Sequence, residues 1–194
     1  MHETNRLPQS IATDRLLLRR WTTADLAPFA ALNADPTVME FFPSTMSSAE
    51  SDAFWFDRIS KHFDEHGYGL WAAERTDSQE FIGFVGLMWQ TFDAEFTPAL
   101  EVGWRLARGH WGQGFATEAA TAALAFGFRD AGVDEIVSMT SVLNVRSIAV
   151  MKRLGMRREP DDDFDHPRVP VGHRLRRHVL YRLSRDQWMA ENDD

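Results

Sequence analysis

The chain has 194 residues, of which 44% are hydrophobic, which is enough for one domain with a sizeable core. Its formal net charge is −8 and its arginines and lysines are scattered, which argues against nucleic acid as the main partner. It contains no cysteine, so disulfides, thiolate catalysis and cysteine-based metal sites are excluded.

No apolar run approaches the ~20 residues that cross a bilayer, and the opening residues MHETNRLPQS lack the apolar core of a signal peptide. We therefore expect a soluble, cytoplasmic protein, monomeric or homodimeric, with no membrane or nucleic-acid partner.

The first half of the chain alternates apolar and helical patterns. Residues 15–21 predict a strand, and the cap-like residues 22–25 begin a helix that runs to about Asn33. A proline-punctuated loop follows, and then a helix over 48–65 that ends near Gly67. Residues 70–74 and 81–89, separated by a polar turn, predict a hairpin.

The second half predicts strands that alternate with helices, which implies at least partly parallel pairing. In order these are a strand over 99–106, a helix to about Ala131, a strand over 135–142, a helix over 145–154, a charged loop over 158–173 and a strand over 175–183. We expect one α/β domain over residues 12–184, with a polar lead over 1–11 and a polar tail over 185–194.

Residues 109–114 (GHWGQG) carry three glycines directly before an alanine-rich helix. Amides at such a helix start form an anion site, and glycines at 109, 112 and 114 would let a phosphate approach without meeting a Cβ. The alternative is a tight strand-to-helix connection with no ligand. The spacing fits neither the Rossmann fingerprint nor the P-loop.

The wider context of this loop resembles a known family. The segment WGQGFATEA follows ALEVGWRL, and NVRSIAVMKRLGM comes about thirty residues later. Together they resemble the GNAT family of acetyl-CoA-dependent N-acetyltransferases, and most of all its RimJ/RimL-like branch, which acetylates ribosomal-protein N-termini. TDRLLLRRWTTADL, LNADPTVMEFFP and HVLYRL also look like that branch, so the resemblance runs from about Ala12 to Ser184.

The resemblance implies a GNAT fold whose mixed, twisted sheet is splayed open where acetyl-CoA enters, with no metal involved. It implies that loop amides bind the coenzyme A pyrophosphate, with Trp111 replacing the usual Arg or Gln and Arg108 able to supply charge nearby. It also implies a bulged strand over 99–106 whose amides hold the thioester carbonyl and the pantetheine arm. The implied cofactor-binding residues are Val102, Trp104, Leu106, Arg108, Gly109, Trp111, Gly112, Gln113, Gly114, Ala116, Thr117, Asn144 and Ser147.

Glu101 stands in the middle of an apolar strand, where glutamate is disfavoured. Alternation places it on one face with Gly103, which leaves room beside the carboxylate. Burial raises a carboxyl pKa towards the range of a useful base, and by resemblance a glutamate near this position is that base, acting through water. The alternative is a glutamate on an exposed edge, or one paired with Arg105 or Arg146.

Asn144 and Ser147 stand at the start of a helix, where the simplest role is capping. By resemblance Asn144 hydrogen-bonds the pantetheine arm and Ser147 lies near the thioester sulfur. Many relatives have a tyrosine four residues before the helix-ending glycine as general acid. That position is Met151 here, so Ser147 is the local substitute.

Three other groups of residues have side chains that could bind a substrate or a metal. Phe42 and Trp55 belong to aromatic segments that line the acceptor pocket in relatives, so we expect them to contact substrate. His62 and His66 are spaced like metal ligands on a helix, yet no third ligand is evident, and we expect a solvated helix face. Asp161–Asp163 lack calcium-site spacing and predict a polar loop.

The expected function is N-acetyl transfer to a primary amine by direct attack, with a protein N-terminal α-amine as the first candidate acceptor. One alternative is a small-molecule amine such as an aminoglycoside, a polyamine or an amino acid, which a pocket lined by several carboxylates would favour. Others are an acyl-CoA-binding module without turnover, and nucleotide binding without coenzyme A.

Overall fold

The computed structural model describes residues 7–192, which form a mixed sheet of eight strands in the order β1-β2-β3-β4-β5-β6-β8-β7. Neighbouring strands are antiparallel except β5 and β6, which are parallel. The predicted α/β fold is therefore confirmed. The strands are β1 (Ile11–Ala12), β2 (Leu16–Arg19), β3 (Leu70–Arg75), β4 (Phe81–Gln90), β5 (Ala99–Leu106), β6 (Glu135–Ser141), β7 (Phe164–Asp165) and β8 (Arg177–Ser184).

Helices cover both faces of this sheet, because alternate residues of β4 point to opposite sides. Phe84 packs edge-on against Phe29 of α1 at 6.0 Å, whereas Leu87 lies against Gly127 of α4. No helix within residues 7–192 is long and apolar enough to cross a bilayer. The helices are α1 (Leu26–Ala34), α2 (Ser48–Phe54), α3 (Lys61–His66), α4 (Phe115–Arg129), α5 (Val145–Arg153) and α6 (Arg185–Asn192).

The helix expected over 48–65 is present, but its middle turn, Trp55–Ser60, is π-helical and joins α2 to α3. Ser47 and Glu50 form a capping box at its start, and Gly67, with φ of 78°, ends it. A π-helical turn changes which side chains face the sheet.

Short elements form in segments that were expected to be irregular. β1 and β7 are held in place by hydrogen bonds to β2 and β8. Each is two residues long, which is too short to show the alternation that predicts a strand. α6 forms where a polar tail was expected, because Trp188 is buried and its ring lies 5.5 Å from that of Phe128. Residues 1–6 of the expected lead and 193–194 of the expected tail lie outside the described residues.

His62 does not lie on a solvated helix face as expected; it is buried with 7% exposure. Its Nδ1 donates to the Tyr68 carbonyl at 2.8 Å, and its Nε2 accepts from the Trp89 amide at 3.0 Å. These two bonds define a neutral imidazole that ties the end of the 48–66 helix to β4. Burial is the main cause that lowers the pKa of His62 to about 4.

This histidine makes stability depend on pH. Because the folded pKa lies below the ordinary 6.5, the unfolded chain takes up the proton first, and the contribution of His62 is lost as pH falls from about 6.5 to about 4. Glu101 has the opposite effect: its folded pKa is raised to about 7, so its contribution to stability is lost as pH rises from 4.5 to about 7. Variants of the two residues separate their effects.

We predict that His62→Gln costs about 3 kcal/mol of unfolding free energy at pH 7.5, and that this cost shrinks steadily as pH falls towards 4. Denaturant unfolding of wild type and variant at several pH values measures the difference. A cost that stays constant from pH 7.5 to 4.5 would contradict the assignment of a neutral, doubly hydrogen-bonded imidazole.

Candidate active site

A cavity opens where β5 and β6 separate. The two strands pair at one position, Glu101 with Val137, and diverge beyond it. The bulge that the resemblance implied in β5 is absent: β4 and β5 keep one register from Gly83–Leu106 to Gln90–Ala99. The separation of the strands therefore exposes the edge of β5, and the cavity between them measures about 1250 Å³.

Most of the residues predicted for the site line this one cavity, although they come from four separate parts of the chain. They are Phe42, Glu101, Trp104, Leu106, Trp111, Gly112, Gly114, Ala116, Thr117, Asn144 and Ser147. The structure places five others outside its wall, namely Trp55, Val102, Arg108, Gly109 and Gln113. Within residues 7–192 no group of three or more His, Asp or Glu side chains could hold a metal ion.

The glycine loop forms one end of the cavity. Gly112 and Gly114 adopt left-handed conformations, with φ of 73° and 85°, which favour glycine. A Cβ at Gly109 or Gly112 would meet no atom within 4 Å, so the backbone here faces open space. A group as large as a phosphate has room to come against the main chain.

The amides of residues 112–117 donate no hydrogen bond to any other described residue; the next amide, that of Glu118, donates to the Gly114 carbonyl. They precede and begin α4, whose dipole is positive at this end. The loop therefore offers an anion a run of free donors. This observation favours the ligand-binding alternative over a tight connection whose amides are already used.

Arg15 and Glu118 hold the loop in place, a contact that sequence reasoning missed because Arg15 is about a hundred residues away. Glu118 accepts hydrogen bonds from the Thr13 hydroxyl at 2.6 Å and from the Arg15 amide at 2.9 Å, and Arg15 also donates to the Gln113 carbonyl. Burial by itself would raise the pKa of Glu118, but these donors outweigh it and lower that pKa.

Trp111, which replaces the usual Arg or Gln of the family pattern, anchors the loop to the sheet. Its Nε1 donates to the Leu106 carbonyl at 2.7 Å, at the end of β5. The guanidinium of Arg146 lies 4.7 Å from the Trp111 ring and is ion-paired with Glu40 at 2.6 Å. The departure from the family pattern therefore fixes the position of the loop backbone.

Glu101 lies at the base of the cavity, partly accessible from it. It accepts a hydrogen bond from Gln90 Nε2 at 2.7 Å. Burial raises the pKa of Glu101 to about 7, and the Met139 amide, Gln90 and the charge of Arg58 only partly oppose this. The carboxyl is therefore poised to exchange a proton near neutral pH.

The two arginines that could have paired with Glu101 bind elsewhere. Arg146 pairs with Glu40, and Arg105 donates to the Asn33 side chain. Arg105 is itself 7% exposed and lies over the Phe42 ring at 4.2 Å, and burial lowers its pKa to about 9. Neither alternative proposed for Glu101, an exposed edge or an arginine pair, is observed.

Asn144 and Ser147 make the capping contacts expected of their position. Asn144 Oδ1 accepts from the Ser147 amide at 3.2 Å, and its Nδ2 donates to Ser147 Oγ and to Thr140 Oγ1, each at 3.0 Å. Ser147 Oγ thus accepts one bond while its own proton has no acceptor among the described residues. Met151, at the usual tyrosine position, is buried and also borders the cavity.

Of the two expected substrate contacts, Phe42 borders the cavity and Trp55 does not. Trp55 packs against the hydrophobic core, and its neighbours Phe54 and Arg58 reach the cavity instead. Successive residues of a helix point about 100° apart, so a one-residue offset changes the face. Sequence reasoning chose the larger aromatic side chain and missed the arginine.

Comparison with known proteins agrees with this geometry. Residues 15–157 match the family model described as an acetyltransferase (GNAT) domain. The chain belongs to the GNAT acetyltransferase family. It is 32% identical over 147 residues to YkkB of Bacillus subtilis (strain 168), covering 75% of this chain and 84% of that protein.

Two solved structures share the fold. One is an acetyltransferase (GNAT family) from Bacillus anthracis, with a TM-score of 0.74 and 22% identity over 91% of this chain and 99% of that one. The other is spermidine N-acetyltransferase from Vibrio cholerae in complex with CoA and spermine, with a TM-score of 0.70 and 19% identity over 90% and 98% of the two chains. At these identities they show the fold alone.

Two glycines that face each other on β4 and β5 give a matched test of the cavity. A Cβ at Gly103 would meet nothing within 4 Å, whereas one at Gly86 would lie 2.1 Å from the Gly69 carbonyl oxygen. We predict that Gly103→Val lowers acetyltransferase activity by about tenfold or more while unfolding free energy changes by less than about 1 kcal/mol.

Gly86→Ala is the control, and we predict that it destabilises the fold by about 2 kcal/mol or more because its Cβ overlaps backbone. Denaturant melts and activity assays on both variants check the pair. Equal stability losses at the two positions would show that the space at Gly103 is part of the packed core and not of the site.

Proposed function

We propose that this protein transfers the acetyl group of acetyl-CoA to a primary amine by direct attack. The observation that carries the proposal is one cavity with free amides of residues 112–117 at one end and a carboxyl with pKa about 7 at its base. In a GNAT domain, amides that bind an anion at one end of a cavity suit the phosphates of a thioester co-substrate, and a proton acceptor at its base suits an amine.

The glycine loop fits the pyrophosphate of coenzyme A. The amides of residues 112–117 have no partner among residues 7–192, and a Cβ at Gly112 would meet no atom within 4 Å, so the space beside the loop backbone is open. The pyrophosphate would accept from amides of the loop, with Gly112, Gly114, Ala116 and Thr117 in the cavity wall. The pantetheine arm would then run between β5 and β6, along Trp104, Leu106, Asn144 and Ser147.

In the proposed reaction Glu101 takes a proton from the bound ammonium through water. The neutral amine attacks the thioester carbonyl, and the developing oxyanion is held by amides on the unpaired edge of β5. The carbon–sulfur bond breaks, the sulfur leaves as coenzyme A thiolate, and the second proton of the attacking nitrogen passes to that thiolate, so the products are the neutral amide and the coenzyme A thiol. Ser147 stabilises that sulfur by donating its free hydroxyl proton in a hydrogen bond.

The pKa of Glu101 favours an α-amine as acceptor. Moving a proton from an α-ammonium, with pKa about 8, to a base with pKa about 7 costs about 1.4 kcal/mol, whereas a lysine ammonium with pKa about 10.4 costs about 4.6 kcal/mol. We therefore keep the protein or peptide N-terminus as first candidate, which suits the RimJ/RimL-like motifs, with a small α-amine as the second.

The experiment that tests this function follows release of free thiol from acetyl-CoA in the presence of peptides and small amines. We expect thiol release that depends on the amine, and calorimetric binding of acetyl-CoA in preference to ATP. Acetyl-CoA binding without thiol release would support a non-catalytic acyl-CoA module, and preferential ATP binding would support a nucleotide site.

We predict that Glu101→Gln lowers kcat/KM by about 10²–10³-fold and removes the rise in rate that wild type shows as pH increases through about 7. The same change should raise unfolding free energy at pH 8, by up to about 3 kcal/mol, because the wild-type carboxyl loses stability as pH rises from 4.5 to 7. A variant with wild-type activity would remove Glu101 as base.

Glu95→Gln is the matched control, because Glu95 is exposed and does not border the cavity. It should leave both the activity and its pH dependence unchanged. A similar loss in both variants would mean that net charge, and not a base at Glu101, controls the rate.

A further inference from the structure

Two arginines on the acceptor side of the cavity lack a carboxylate partner. Arg58 comes from the π-helical turn and Arg168 from the loop after β7, and both border the cavity with Glu101. Within residues 7–192 neither has an acidic oxygen within 4.0 Å, whereas Arg146, which also borders the cavity, is ion-paired with Glu40. Among the described residues neither arginine is ion-paired, and Glu101 is the carboxyl whose charge acts on Arg58.

The end of β4 places Arg58 near Glu101, and a residue just beyond that strand contacts Arg168. Arg58 Nη2 lies 3.8 Å from Met88 Sδ, and Met88 is the residue paired with Glu101 across the two strands. The guanidinium of Arg168 lies 5.5 Å from the ring of Phe92, two residues beyond Gln90, which donates to Glu101. These contacts place Arg58 near the carboxyl of Glu101, and Arg168 borders the same cavity.

The charge of Arg168 acts on Arg58. Burial, followed by the charge of Arg168, lowers the pKa of Arg58, while Glu101 raises it. His166 and His178 border the same wall, and burial lowers the pKa of each, to about 4 for His166, so neither balances nor adds charge at neutral pH. Burial raises the pKa of Glu101 to about 7, so its carboxylate charge only partly offsets the charges of the two arginines near neutral pH.

Arg58 is half-buried and Arg168 is exposed, and both border the cavity. A carboxylate that enters there accepts paired, charge-assisted hydrogen bonds from guanidinium groups. We propose that Arg58 and Arg168 bind a carboxylate of the acceptor, so that the substrate is an amine carrying an acidic group. This inference rests on the proposed acetyl transfer and adds the class of acceptor. The amine end then lies at Glu101 while the acidic end lies at the arginines.

The same wall is unfavourable for a polycation. Its carboxylates are Glu101, which must accept a proton, and Glu118, which is engaged by Arg15 and Thr13. The structural neighbour from Vibrio cholerae is a spermidine N-acetyltransferase, whereas among residues 7–192 the carboxylates that border this cavity are these two alone. A free amino acid and a peptide with an early acidic residue both offer the required chemistry.

The test compares acceptors that differ in one charge. Glycine is compared with glycinamide, and an amidated peptide with Asp at its second position is compared with the same peptide carrying Asn, with spermidine as the polycation. We expect kcat/KM to be at least about tenfold higher for the acidic member of one or both pairs, and spermidine to be the poorest acceptor. The pair with the larger ratio distinguishes the free amino acid from the peptide.

In Arg58→Gln and in Arg168→Gln we expect this ratio to fall towards one, mainly through KM for the acidic acceptor. Lys61→Gln is the matched control, because Lys61 stands three residues after Arg58, pairs with Asp57 on the outer side, and does not border the cavity. It should keep the wild-type ratio.

A wild-type ratio near one, a preference for spermidine, or a ratio unchanged in both arginine variants overturns the inference. Acetyl-CoA binding, measured on the same samples, distinguishes failure of the proposed acceptor class from failure of the proposed acetyl transfer. If acetyl-CoA binds and amines are acetylated without charge preference, only the acceptor class is wrong. If acetyl-CoA neither binds nor releases thiol, the proposed function fails and the acceptor class fails with it.

Discussion

The separation of two parallel strands is the constraint on which the site depends. β5 and β6 share the pair Glu101–Val137 and then diverge, so a cavity forms inside the sheet without any loss of pairing between β4 and β5. Parallel strands need a crossover, and α4 supplies it. The start of α4 must therefore lie at the end of β5, and this brings the glycine loop and Glu101 to the same cavity.

The two ends of the cavity differ in whether their arginines are paired with carboxylates. At the loop end Arg15 and Arg146 are paired with carboxylates, and the free groups are backbone amides. At the Glu101 end Arg58 and Arg168 have no such partner in the part of the chain that the structure describes. At the loop end the proposed anion site is made by main-chain amides, whereas at the acceptor end charged side chains are available for recognition.

Local sequence was sufficient for the parts of the site that lie on single elements. Glu101 was found because a glutamate flanked by apolar residues and a glycine is unusual in a strand, and the loop because glycines precede a helix. The strand and helix order was predicted for the same reason, since each long element carries its own period. Family resemblance supplied the roles but also a bulge that β5 does not have.

Features that depend on distant contacts could not be read from the sequence. The clamp of Arg15 on the loop and the approach of Arg168 to the cavity join segments far apart in the chain. His62 looks like a surface residue until Tyr68 and Trp89 enclose it, and Trp188 looks like part of a polar tail until Phe128 covers it. Trp55 shows that a helix with a π-helical turn cannot be assigned a face from spacing alone.

The central claim is that main-chain amides of residues 112–117 bind the pyrophosphate of acetyl-CoA and so direct its thioester to Glu101. A crystal structure of the complex with coenzyme A tests it most directly. The account predicts pyrophosphate oxygens within hydrogen-bond distance of several of these amides, and the thiol end between β5 and β6 near Glu101. Coenzyme A bound elsewhere, with the loop amides free, would contradict it.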